Sequence, residues 1–125
     1  MKLIENEHIP RPAGHYSPVV EHNGVLYVSG QLPRAADGTI PEGITAQTEA
    51  VLAKLDNLLV HANSGRHRVL QVRIYVPDVK YWDEVNRIYS AFFGTHRPAR
   101  CVVPSRDLHH GCLIELEAVA ATLDS

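Results

Sequence analysis

The chain has 125 residues, 45% hydrophobic and 21% charged, which suits one compact domain with its own core and excludes a disordered chain. Twelve Lys and Arg against fourteen Asp and Glu leave a net charge of −2, without the basic surplus of a mainly electrostatic nucleic-acid binder. No apolar run is long enough to cross a bilayer, and "MKLIENEHIPRP" lacks the unbroken apolar stretch of a signal peptide, so a cytoplasmic protein is expected.

The first strand-like region is "HYSPVVEHNGVLYVSG", where "HNG" is a turn signal between the apolar runs Pro18–Val20 and Val25–Val28. "LPRAADGTIPEG" is rich in Pro, Gly and Asp and reads as a loop. Over residues 44–62, Ile44, Thr48, Val51, Leu52, Leu55, Leu58, Leu59 and Ala62 recur at three- and four-residue steps, predicting a helix with one buried stripe. Thr45 is its expected cap and Gly65 its expected end. "VLQVRIYV" alternates, predicting a strand with Leu70, Val72, Ile74 and Val76 on one face. Asp78 is the expected cap of a second helix, whose apolar positions are Val79, Trp82, Val85, Ile88, Tyr89, Phe92 and Phe93 and which ends at Gly94. Two strands follow, around residues 100–104 and 112–120, joined by "SRDLHHG".

The order β-β-α-β-α-β-β predicts a single α+β domain over residues 1–125, with both helices on one face of a sheet. The other face would be partly apolar through Tyr27, Tyr75 and alternate positions of the last strands. Packing against sister subunits in a closed homo-oligomer is the expected way of covering it.

Arg100 raises a chemical question, because it stands in "RPARCVV" beside residues that usually face an interior. Alternation puts Arg100 and Val102 on one face and Cys101 and Val103 on the other. It also groups Leu113, Glu115, Glu117 and Val119 opposite Cys112, Ile114, Leu116 and Ala118. If the last two strands form an antiparallel hairpin, Arg100 neighbours one of the glutamates. Two readings of the arginine follow: a structural Arg–Glu bridge, or a guanidinium that grips a ligand carboxylate through two parallel hydrogen bonds.

"GHYSPVV", "YVSGQLP", "VNRIYSAFF" and "RPARCVV…LIELEAVA" resemble, in order and spacing, the Rid (reactive intermediate deaminase) or YjgF family over roughly residues 10–120. The resemblance implies a chorismate-mutase-like fold, a homotrimer and ligand sites in clefts between subunits. It also implies cofactor-independent hydrolysis of 2-imino and enamine acids, of the 2-aminoacrylate and 2-iminopropionate type, to 2-keto acids and ammonia. On this resemblance Arg100 is the carboxylate anchor and Glu115 handles the attacking water. Tyr16 shapes the cleft or hydrogen-bonds the substrate, and the backbone of Ser29 and Gly30 lines the pocket. Asn86 acts in support, and Val102 stands where the family commonly has a cysteine. His15, Pro18 and the segment "VVPSRDLHHG" also depart from the family pattern and bear on substrate preference. Readings from other classes stay open: a non-catalytic 2-keto acid binding protein, or an RNA-acting or chaperone-like family member.

Other candidates point to less. His109 and His110 are adjacent on one loop without HExxH or Cys/His spacing, so no metal site is expected. Cys101 and Cys112 form no CxxC pair and are expected as free thiols. The aromatic stripe of Trp82, Tyr89, Phe92 and Phe93 is expected in the core, and Arg66, His67 and Arg68 on a solvated turn.

Overall fold

Asn23 and Gly24 both take the left-handed conformation (φ 52° and 78°). That pair of positive φ values makes the tight turn whose twist matches two antiparallel strands. The hairpin so formed joins β2 (Val19–His22) to β3 (Val25–Gln31). The structure is a computed structural model that describes residues 1–125. A short strand β1 (Lys2–Ile4), which has no clear alternation in the sequence, adds to the outer edge of β2. Beyond β3 come α1 (Ile44–His61), β4 (Val69–Val76), α2 (Trp82–Phe93), β5 (Ala99–Pro104) and β6 (Glu115–Ala121).

The six strands form one mixed sheet in the order β1-β2-β3-β6-β4-β5. Strand β6 lies centrally, antiparallel to both β3 and β4, while β5 runs parallel to β4 at the far edge. The expected β5–β6 hairpin is therefore absent. The chain between β4 and β5 passes through α2, as a parallel pair requires. The connection over residues 105–114 then carries the chain past β4 to the middle of the sheet.

Both helices cover one face. Val51, Leu55 and Leu59 of α1 and Val85 of α2 are fully buried against Leu26, Val72, Ile74, Ile114 and Leu116 of the sheet side. Truncating such a leucine to alanine costs about 2–5 kcal/mol, since the cavity adds to the lost transfer energy. The uncovered face carries Tyr27, Arg73, Tyr75, Glu115, Glu117 and Val119, as their strand registers dictate.

Several local expectations are corrected. Gly43, not Thr45, caps α1. Thr45 lies two residues past the cap, in the first turn, and its hydroxyl donates to Glu84 Oε2 at 2.6 Å, joining α1 to α2. Helix α1 stops at His61, with Asn63 supplying the left-handed residue (φ 63°), whereas Gly65 is extended (φ −177°). A register shift between Val69 and Gln71 buries Val69 and leaves Leu70 49% exposed. Asp78 does cap a helical turn, accepting from Lys80 N at 2.8 Å. That turn is a separate 3-10 segment, so Val79 is exposed ahead of α2. Gly94 (φ 64°) ends α2 as expected.

Candidate functional site

Strand β5 is an edge strand, and Arg100 sits on its helix-facing side opposite Val72 of β4. There its Nη1 donates to Asn86 Oδ1 of α2 at 2.9 Å. The guanidinium carbon lies 4.8 Å from the Tyr89 ring centroid and 5.4 Å from that of Trp82. Faces of aromatic rings attract a cation through their quadrupole without neutralising it. The chain has three ion pairs, and Arg100 is in none of them. A half-buried guanidinium thus rests on an amide and two rings with its charge uncompensated. Trp82 and Tyr89, expected only as core, form this aromatic floor. The i, i+3 and i, i+4 spacing of Trp82, Asn86 and Tyr89 is the signal that places them together on one side of α2. Val102 shares the face of Arg100 and packs against the core, while Cys101 is exposed on the opposite face.

The second group gathers at the other face, where "VSGQ" meets the last strand. Val28 pairs with Ala118, and Gln31 with Leu116. Three steps along β3 therefore match two along β6, so Ser29 and Gly30 form a bulge. Bulges of this kind bend a strand and re-aim its groups. A Cβ at position 30 would collide with Glu115 Oε2, so glycine is what lets the carboxylate lie against the backbone. Burial first, and then the charge of Glu117, push the Glu115 carboxyl above its ordinary 4.5, with His109 pulling the other way. A carboxyl shifted upward is better matched to proton transfer near neutrality. The Ser29 hydroxyl is engaged, donating to the Ser17 carbonyl at 2.6 Å. Tyr16, 54% exposed, stands with Gly30 on the rim of a groove of about 810 Å³.

The two groups do not meet within one chain. Tyr75 of β4 is opposite both Glu115 and Val103. Arg100 therefore lies two strands across and three residues along from Glu115, about 14 Å between Cα atoms, with the side chains on opposite faces. Asn86 and Val102 keep company with Arg100; Tyr16, Ser29 and Gly30 keep company with Glu115. An Arg100–Glu115 bridge inside the chain, one of the two readings of the sequence, is excluded by this topology. Instead Glu117 pairs with a neutral group, accepting from the Tyr75 hydroxyl. Arg100 is not in the lining of the groove bordered by Tyr16 and Gly30.

His109 and His110 stack on each other at 3.8 Å between ring centroids. No group of three or more His, Cys, Asp and Glu side chains converges as a metal ion would need. Both cysteines are free, Cys112 buried and Cys101 exposed. No helix is long and apolar enough to cross a membrane.

Comparison with known proteins agrees with this architecture. The family model described as Endoribonuclease L-PSP matches residues 6–122. Protein HMF1 of Saccharomyces cerevisiae is 36% identical over 119 residues, 94% of this chain and 92% of the relative. The Rid-family protein of unknown function YyfA from Yersinia pestis superposes with a TM-score of 0.90 at 35% identity, over 97% of this chain and 98% of that one. TdcF from E. coli, solved with bound serine, superposes with a TM-score of 0.89 at 26% identity, again over 97% and 98% of the two chains. The chain belongs to the L-PSP family, also called the Rid or YjgF family, and has its chorismate-mutase-like α+β fold.

Proposed function

We propose that this protein hydrolyses small 2-imino acids to 2-keto acids and ammonia, at sites built between copies of the chain in a closed homotrimer. The observation that carries this reading is Arg100: a half-buried, uncompensated guanidinium, fixed by Asn86 and two rings, on an exposed sheet edge. Such a group is prepared for a planar carboxylate, which it can hold by two parallel hydrogen bonds. The uncovered sheet face, with its Tyr27 and Val119, supports the oligomer. Assembly is also the way an acid on one face can join a cation on the other.

The chemistry asks little of the protein. The imine carbon C2 is already electrophilic, so what must be supplied is position and a proton carrier. Arg100 holds the substrate carboxylate. Glu115 of a neighbouring copy takes a proton from water as the water oxygen bonds to C2, and the C2=N double bond becomes single. That proton passes to nitrogen and gives a carbinolamine; its hydroxyl proton then moves by way of Glu115 to the same nitrogen as the C2–N bond breaks, so ammonia leaves and the C2–O bond becomes the keto group. Backbone groups at the Ser29–Gly30 bulge border the reacting centre, and Tyr16 closes its rim.

The test is a coupled assay in which an amino-acid oxidase generates imines and semicarbazide traps what survives. Wild type is expected to lower the trapped fraction, and Arg100→Ala to behave as if no enzyme were added. Equal turnover by that variant would refute the reading. Ligand binding without turnover of freshly made imine would favour a 2-keto acid binding protein, a reading to which the serine bound by TdcF lends weight. The endoribonuclease description of the family predicts instead salt-dependent binding of single-stranded RNA, against which the net charge of −2 counts.

A further inference from the structure

The groove bordered by Tyr16 and Gly30 has an unusual charge composition. It runs between the 8–18 segment, the end of β3, α1 and the 109–110 turn, and its lining includes His8, Arg34, Lys54, His109 and His110 but no Asp or Glu. His8 is otherwise occupied, facing Glu7 at 3.2 Å and stacking on His61. The other four have no carboxylate partner, since neither Arg34, Lys54, His109 nor His110 enters an ion pair.

Lys54 is anchored in place. Its Nζ donates to the carbonyls of Leu32 at 2.8 Å and Arg34 at 3.2 Å, leaving one of its three N–H groups for a ligand. Asp37, which lies near Arg34, is engaged elsewhere: its Oδ1 accepts from the Thr39 backbone and hydroxyl at 3.0 and 2.7 Å. Burial first, then His109 and Arg34, hold the His110 imidazole below its ordinary 6.5, so it faces the groove as a neutral hydrogen-bonding group near pH 7. The turn that carries both histidines is pinned to α1, because Gln47 accepts from Leu113 N at 2.8 Å and donates to the Pro41 carbonyl at 3.0 Å. A concave, preformed space of about 810 Å³, lined by Arg34, Lys54 and two imidazoles and by no carboxylate, is a binding site for an organic anion.

The groove is continuous with the reacting end of the proposed site. Gly30 is shared by both, and His109, which lines the groove, stands close enough to Glu115 to act on its charge. We propose that Arg34, Lys54 and His109 form a second carboxylate subsite, so that this protein prefers 2-imino acids carrying a distal carboxylate, the imines of acidic amino acids. The α-carboxylate goes to Arg100 and the side-chain carboxylate to the groove, with C2 between them at Glu115. This deepens the hydrolytic reading above and rests on it for the orientation of the ligand.

Binding of two stable keto acids of equal chain length isolates the distal charge: 2-oxoglutarate and 2-oxopentanoate, titrated by calorimetry at pH 7 and low salt. Wild type is expected to bind 2-oxoglutarate roughly tenfold more tightly, the value of one charge-assisted contact in a partly open groove. Arg34→Gln and His109→Gln, both at surface turns, are each expected to bring the ratio toward one. A ratio near one in wild type, or a tenfold ratio that survives in both variants, overturns the subsite. Arg100→Ala separates the two proposals, because it is expected to weaken both ligands alike. If it weakens neither while the wild-type ratio holds and falls in Arg34→Gln, the subsite stands and the Arg100 reading falls. If Arg100→Ala weakens both but the wild-type ratio is one, the reverse is true. No binding of either ligand to wild type overturns both.

Discussion

Mixing two dead variants is the most direct test of a site divided between chains. Arg100→Ala removes the carboxylate anchor and leaves Glu115; Glu115→Gln does the reverse. Within one chain the two residues are about 14 Å apart on opposite faces of the sheet, so on the proposed mechanism every working site takes its arginine from one copy and its glutamate from another. In a closed ring assembled at random from equal amounts of the two variants, a site is intact when its arginine donor is the Glu115→Gln chain and its glutamate donor the Arg100→Ala chain. That combination occurs at about one site in four, whatever the number of subunits, because each interface joins two independently chosen copies. Each pure variant should lose about two to three orders of magnitude in kcat/KM, as expected for loss of a charge-assisted anchor or a general acid–base. Denaturing the two together and refolding them should therefore restore about a quarter of wild-type imine hydrolysis, read as protection from semicarbazide trapping. Pure variants carried through the same cycle should stay inactive. Verified mixed assemblies with no more activity than the pure variants would refute a divided site.

Glu115 and Glu84 make opposite pH predictions. The Glu115 pKa is raised in the fold, by burial first and by Glu117 second, so its ionisation opposes folding above that raised value and has no effect where it is protonated in both states. Glu115→Gln should therefore melt higher than wild type at pH 7, with the gain vanishing below about pH 4; a gain that persists unchanged at acid pH would contradict this. Glu84 is lowered from 4.5 to about 2, by the hydrogen bonds from Arg87 first and Thr45 second. Its contribution is present above 4.5 and is lost as pH falls toward 2. Carboxyl NMR should show its midpoint near 2 and an upward move in Arg87→Ala; an ordinary midpoint in wild type would mean the α1–α2 clamp does not form.

What could be read from the sequence was what depends on near neighbours. The stripe from Val51 to Leu59, the Asn23–Gly24 turn and the alternation of β6 are each set by local spacing, and all appear as expected. Errors arose where a partner decides. Nothing in "RPARCVV" says that β6 bypasses it to lie between β3 and β4, since hairpin pairing of successive strands is only the commoner outcome. Likewise Leu70 looks like a core residue until the shift between Val69 and Gln71 turns it outward. The bulge at Ser29–Gly30 was invisible for the same reason: it is a mismatch of count between β3 and β6, and exists in neither strand alone. Motif resemblance offers the candidate residues, but only topology separates them into two groups.

That separation gives one physical account of features that look unrelated in a single chain. An ordinary fold neutralises a half-buried arginine with a carboxylate and shields a carboxyl from a like charge. Here Arg100 has an amide and two rings, while Glu115 sits beside Glu117 in a partly buried place that raises its pKa. The sheet that carries Glu115 also leaves Tyr27 and Tyr75 uncovered by either helix. Each is a local cost in a single chain, and on the proposed assembly two of the three are relieved together. Stacking copies through the open face would bury the tyrosines, and a substrate carboxylate would supply Arg100 with its missing charge, while the same anion would hold the neighbour's Glu115 carboxyl further upward, toward the range that proton transfer needs. On that reading the monomer is left unfinished at Arg100 and uncovered at the tyrosines, and Glu115 stays perturbed because a proton carrier needs a raised pKa.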